Sequence, residues 1–192
     1  ATPAPTEIPA STAETLTLEQ KVGQLFIVRP DALDLTLSQE TIDDPRADGV
    51  TQVTDAMRET LQQYPVGGIC QFGKNIESPS QLARFNKDLQ AASATPLFIT
   101  VDEEGGMVAR LANNDDFDLP RYASAAAVGA SGDPENARAM GQTIGGYLKT
   151  YGFNMDFALD ADVNTNPDNP IIGERAFSSD AATAAQMAAA AA

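Results

Sequence analysis

A chain of 192 residues, 43% of them hydrophobic, is long enough for one domain with a buried core. Its net charge of −15 opposes binding to nucleic acid or to anionic membrane surfaces. No apolar run reaches the roughly 18 residues that a membrane-spanning helix needs. Histidine is absent and cysteine occurs once, as Cys70. These counts remove a disulfide framework, a histidine-activated nucleophile and the commonest zinc ligand. Cys70 lies in an apolar run and reads as a small core residue.

Residues 1–15, ATPAPTEIPASTAET, have the Ala/Thr/Pro/Ser composition of a linker. Such a segment often follows a removed export signal, so an extracellular or cell-envelope location is expected; a tail on a cytoplasmic protein is the alternative. From Leu16 onward one domain is expected. Thr17 and Gln20 fit a capping box. Leu25-Phe26-Ile27-Val28 reads as a buried strand ended by Pro30, and residues 31–50 as a long polar loop. Val53–Leu61 reads as a helix. Gly67–Gly73 is a second strand, followed by Lys74 and Asn75. Ser78-Pro79-Ser80-Gln81 has an N-cap residue, a proline for the first helical position and a box-closing Gln81. Leu82, Phe85 and Leu89 then mark one apolar helix face. Pro96–Val101 is a third strand. Asp133-Pro134 caps another helix, with Ala137, Met140, Ile144 and Leu148 on one side. Phe153–Leu159 is a fourth strand, and Ala181–Ala192 the start of a further helix.

Apolar strands alternating with helices imply parallel pairing and an α/β fold. About four strand–helix units amount to the first half of a (β/α)8 TIM-type barrel, which typically takes about 250 residues. In such barrels the chemistry gathers at the C-terminal ends of the strands. Asp102, Glu103 and Glu104 stand at the end of the third strand, and Asp160 and Asp162 follow the fourth. Gly105 and Gly106 permit a sharp turn there. Asp160, Asp162 and Asn164 match the opening of a calcium loop. Thr165 and Ile171 replace its required Gly and Glu, so an EF-hand is rejected. Asx turns account better for that stretch. No phosphate loop, nucleotide fingerprint or GxSxG elbow is present, and no metal or cofactor is expected.

EQKVGQLFIV, GGICQFGKNI, PLFITVDEEGGMVARL, GDPENARAMGQTIG and NPDNPIIGERAFSSD together resemble glycoside hydrolase family 3, most closely its bacterial β-N-acetylhexosaminidases. The resemblance implies a barrel fold and a carbohydrate substrate. It implies a retaining glycoside hydrolase that releases terminal β-linked sugars, N-acetylhexosamine foremost, from glycans or peptidoglycan fragments. It also implies that Asp102, Arg110 and Arg175 contact the sugar. A carboxylate accepts from adjacent hydroxyls, and a guanidinium supplies a planar fork of donors. Glu103 and Glu104 are then expected to support the loop by hydrogen bonds. Met107 departs from an arginine common in the family, and Leu159 from a proline. The family's Lys-His-Phe-Pro-Gly-His-Gly stretch, its acid/base and its nucleophile would all lie beyond these residues. A retaining mechanism needs both catalytic groups, so no catalytic residue is assigned and the chain alone is expected to be inactive. As an incomplete barrel it is expected to self-associate through open strand edges. A β-glucosidase-type member, a non-catalytic carbohydrate-binding half barrel and an unrelated Mg²⁺-dependent barrel enzyme are the alternatives.

Overall fold

The computed structural model describes residues 16–192; the linker expected over residues 1–15 lies outside them. Helix α1, Leu18–Gly23, starts on the Thr17–Gln20 capping box, with both of its reciprocal hydrogen bonds present. The chain then alternates: β1 (Ile27–Val28), α2 (Gln39–Asp43), α3 (Asp55–Gln63), β2 (Gly68–Gln71), α4 (Pro79–Ala92) and β3 (Phe98–Val101). A hairpin follows, β4 (Glu103–Gly105) with β5 (Val108–Ala109). After it come α5 (Ala125–Gly129), α6 (Pro134–Thr150), β6 (Met155–Asp156) and α7 (Ala181–Ala191).

Strands β1, β2, β3 and β6 form one sheet in that order, every pair parallel. Sequential order with helical crossovers is what the first four units of a (β/α)8 barrel look like; among the described residues the sheet is open rather than closed. Ile69, Ile99 and Val101 of the strands are fully buried. Leu82, Phe85 and Leu89 of α4 cover them, as their spacing predicts. Ala137, Met140, Ile144 and Leu148 of α6 line the same core, and Met187 of α7 joins them. Cys70 is buried within β2, and its thiol is pushed up to about 11, chiefly by burial.

Three expectations need correction. Leu25 and Phe26 are exposed, at 81% and 55%, and β1 holds only Ile27 and Val28. The turn closing α1 takes their backbone N–H groups instead, bonded to Val22 and Gly23. The fourth strand is likewise shorter than Phe153–Leu159. Among the described residues its ladder partner is β3, with Asn154 N–H to Ile99 and Phe157 N–H to Val101 at its two ends. Residues 31–50 are not one loop: a 3-10 turn (Pro30–Leu33) and the Ser38-capped α2 punctuate them. Lys74 and Asn75, which follow the second strand as polar residues, are packed inside rather than open to solvent. The Lys74 side chain is 7% exposed and donates to the carbonyls of Thr41, Ile42 and Asp44 at 3.1–3.2 Å. Asp31, fully buried, lies 3.5 Å from the Lys74 ammonium and accepts from Asn75 and from Val50 N–H. A buried cation needs this many partners, so the pair pins the α2 segment over the end of β2.

Candidate functional site at the strand ends

The sequence VDEEGGMVARL folds back on itself immediately after β3. Gly105 and Gly106 take φ of 84° and 61°, a left-handed conformation that residues with a Cβ rarely adopt. They turn the chain into the β4–β5 hairpin, with Glu103 opposite Ala109. Met107 stands at the tip, 73% exposed.

The three carboxylates of the stretch have separate surroundings. Asp102 is half-buried, and one oxygen lies 3.2 Å from an Arg110 Nη. The Arg110 Nε is buried without a partner. Glu103 is fully buried. Its carboxylate accepts from the backbone N–H of Leu111 and of Ala112, each at 2.9 Å, and from the Tyr147 hydroxyl at 2.8 Å. Burial and the adjacent Glu103 charge push the Tyr147 hydroxyl's pKa up, so it stays a donor. Glu103 thereby fixes the backbone just after Arg110. Glu104, also buried, takes Arg175 in a two-pronged pair at 2.7 and 2.8 Å.

Arg175 comes from the far side of the rim, in a 3-10 turn (Gly173–Arg175) of the long segment after β6. That segment is built on Asx turns, as its composition predicts. Asp160 accepts from Asp162 N–H, Asn166 from Asp168 N–H, and Asn169 from Ile171 and Ile172. The Asp160 carboxylate is buried and sits 3.5 Å from Arg175, whereas Asp162 is exposed. Glu104 and Asp160 hold the Arg175 guanidinium pKa above its ordinary value.

Asp156, on β6, accepts from Glu103 N–H at 3.0 Å. Burial pushes its carboxyl up to about 7, and the charges of Glu103, Asp102 and Glu104 add to this. A cavity of about 480 Å³ opens beside Arg110, with Arg29, Asp43, Phe72 and Lys74 among its walls. A second, of about 280 Å³, lies between the hairpin and α6 and reaches Glu103, Glu104, Asp156 and Leu159. Each cation of the larger cavity faces a carboxylate: Arg29 with Asp43, Lys74 with Asp31, Arg110 with Asp102. Among the described residues no group of three or more metal-type side chains converges.

The structure thus brings Asp102 and Arg110 into contact and holds Arg175 on the same rim through Glu104. Sequence reading missed three parts of this arrangement. Tyr147 is on a helix 44 residues from its partner. Asp156 looks like an ordinary strand residue. Nothing local ties Glu104 to Arg175, 71 residues away.

Residues 17–192 match the glycosyl hydrolase family 3 N terminal domain. The chain belongs to glycoside hydrolase family 3. The β-hexosaminidase A of Pseudoalteromonas piscicida is 32% identical over 172 residues, 85% of this chain and 28% of that protein. A β-hexosaminidase of Thiobacillus denitrificans is 35% identical over 137 residues, 68% of this chain and 36% of that one. Among solved structures, a family 3 β-N-acetylglucosaminidase from Paenibacillus sp. superposes with a TM-score of 0.76 at 35% identity. That match covers 92% of this chain and 30% of the other. NagZ from Neisseria gonorrhoeae, in complex with N-trifluoroacetyl-D-glucosamine, superposes with a TM-score of 0.64 at 25% identity, over 74% of this chain and 43% of its own. The family 3 chain therefore matches between 28% and 43% of the length of these relatives. Its open four-stranded sheet is the corresponding part of their domain.

Proposed function

We propose that this family 3 chain supplies one wall of the sugar-binding pocket of a retaining glycoside hydrolase, and that terminal β-linked N-acetylhexosamine is the sugar released. The observation that carries the reading is the Asp102–Arg110 pair. It is part-exposed and sits at a strand end, and its Arg110 lines a cavity of about 480 Å³ whose cations are each paired with a carboxylate. A neutral, hydroxyl-rich ring suits such a wall. Asp102 accepts from hydroxyls, the arginines donate, and Phe72 offers an apolar face to ring C–H groups. The names of the relatives, hexosaminidases and N-acetylglucosaminidases, support the choice of sugar. Glycans and peptidoglycan fragments both present such residues.

The chemistry a retaining mechanism requires is a nucleophilic carboxylate and an acid/base about 5–5.5 Å apart. We assign neither role to a residue of this chain. Asp102, Arg110 and Arg175 are positioning and binding groups, and hydrolysis needs further residues to join them. The Ala/Thr/Pro-rich composition of residues 1–15 supports a location outside the cytoplasm, which cell fractionation would test.

The experiment is a titration of the ¹⁵N-labelled chain with N-acetylglucosamine, together with a nitrophenyl N-acetyl-β-glucosaminide assay. Binding that shifts the amides near Asp102, and that weakens about tenfold or more in Asp102→Asn, is the expected result, since a charge-assisted hydrogen bond contributes roughly 1.5–3 kcal/mol. The 192-residue chain should show no turnover. Binding insensitive to Asp102 would remove the proposed pocket, and turnover by the chain alone would refute the assignment of catalysis elsewhere.

A further inference from the structure

Arg175 has five N–H donors, and most are already engaged. Its Nε–H is 2.8 Å from one Glu104 oxygen, and Nη2 is 2.7 Å from the other. Nη2 also lies 3.5 Å from an Asp160 oxygen, an ion-pair contact. Nη1 makes a long contact of 3.4 Å to the Ile171 carbonyl. One Nη1 hydrogen is left uncommitted. The charge follows the same arithmetic: Glu104 and Asp160 bring two negative charges to one positive, and Asp102 cancels Arg110. Arg175 therefore offers no open guanidinium fork of the kind that binds a carboxylate in two-pronged fashion. The rim also carries a local negative charge that would repel one.

We infer that Glu104 sets the charge specificity of the site: by clamping Arg175 it leaves a mouth that takes neutral sugars and refuses sugars bearing a carboxylate. The inference rests on the sugar-binding reading above and deepens it. A neutral pyranoside hydroxyl needs one donor, which the free Nη1 hydrogen supplies. A uronic acid needs a fork and a net positive partner, and Glu104 removes both. Were Glu104 only a tie between the hairpin and the long segment, its loss would weaken all ligands alike. As a charge filter, its loss changes the ratio between them.

The test titrates the 192-residue chain with N-acetylglucosamine and with its C6-carboxylate form, N-acetylglucosaminuronic acid, following ¹⁵N shifts at neutral pH. The wild-type chain should prefer the neutral sugar by about tenfold or more, and Glu104→Gln should narrow that ratio about tenfold, one Coulombic partner's worth at intermediate dielectric. Equal wild-type affinities would overturn the filter and leave sugar binding intact; binding of neither sugar would overturn both. An unchanged ratio in a folded Glu104→Gln chain would remove Glu104 from the role. If that variant does not fold, Asp160→Asn makes the same change of charge, and an unmoved ratio there counts equally against the proposal. The clamp itself is read from the Arg175 Nε–H resonance, which should exchange slowly in the wild-type chain; fast exchange would contradict it.

Discussion

Asp102, Glu103 and Glu104 are neighbours in sequence and do three different things. Asp102 meets Arg110 at the mouth, Glu103 holds the hairpin backbone and Glu104 holds Arg175. Alternation along the extended chain after β3 turns successive side chains to opposite faces, which separates their surroundings. Glu103 is fully buried with three donors aimed at it, so Glu103→Gln leaves at least one N–H facing an amide NH₂. We expect a loss of about 2–4 kcal/mol in urea unfolding, the cost of disrupting a buried, hydrogen-bonded charge. Tyr147→Phe removes one of the three donors and should cost about 1–2 kcal/mol. Asp156 has the opposite bias. Its folded carboxyl titrates near 7, above the ordinary carboxylate range. The folded state therefore keeps a proton that the unfolded state releases between about pH 4 and 7. The stability this proton gives is complete below about pH 4 and is lost as pH rises through about 7. Asp156→Asn keeps the oxygen that accepts from Glu103 N–H and removes the buried charge. It should flatten this part of the pH profile and raise stability at pH 7.5 by about 1–2 kcal/mol, less than the full shift because the side chain is not completely shielded from solvent. Thermal melts from pH 4 to 8 check it; a variant whose profile parallels the wild type would contradict the assignment.

The helices follow their caps closely. Thr17, Ser38, Thr54, Ser78, Ser124, Asp133 and Asp180 each accept from a backbone N–H of the helix they begin. Side-chain caps of this kind are local chemistry, so the sequence displays them. Helix-to-helix fit is not local. A Cβ on Gly141 of α6 would come within 1.9 Å of the Ala191 carbonyl oxygen of α7. Gly141→Ala should therefore push α7 off α6 and cost about 2–3 kcal/mol, as overpacking does in a close-packed contact. The neighbouring Gly145 meets no such obstacle, and Gly145→Ala should be neutral or slightly stabilising, because Ala is the better helix former. Hydrogen exchange of the α7 amides distinguishes the two: protection should fall in the first variant and persist in the second.

Taken whole, the described residues leave two sheet edges unpaired, β1 on one side and β6 on the other. Leu18, Val22, Leu25 and Phe26 are exposed at and just before the first edge. An open groove of about 410 Å³, floored by Leu148, Phe153 and Met155, runs along the second. Parallel sheets are rarely left uncovered, and unpaired edges recruit other strands. The isolated 192-residue chain is therefore expected to self-associate at micromolar concentration, with Leu25→Lys and Phe26→Lys shifting it toward monomer. Sedimentation velocity measures this directly. A wild-type chain that stays monomeric across a hundredfold range of concentration would refute it.

Periodicity, caps and breakers were enough to place the main strands and helices. They also gave the parallel α/β order and put the carboxylates of VDEEGG at a strand end, because each of those signals acts within a few residues. The same reading set Leu25 and Phe26 in a buried strand and gave no sign that Lys74 is buried, because hydropathy and polarity do not say what a neighbour covers. Among the described residues β1 has no second neighbour, and Lys74 finds its carbonyl cage in a segment 30–33 residues away. The candidate site divides in the same manner. Asp102 and Arg110 share one hairpin, so their approach is encoded by two glycines and a short register. Arg175, Tyr147 and Asp156 reach the hairpin only through the sheet and α6, over 44 to 71 residues of chain. Sequence determined which groups the chain offers to the strand ends. Tertiary structure alone decided which carboxylates hold the backbone, which one stays partly open and which arginine is clamped, because burial and pairing over that distance depend on the packed fold.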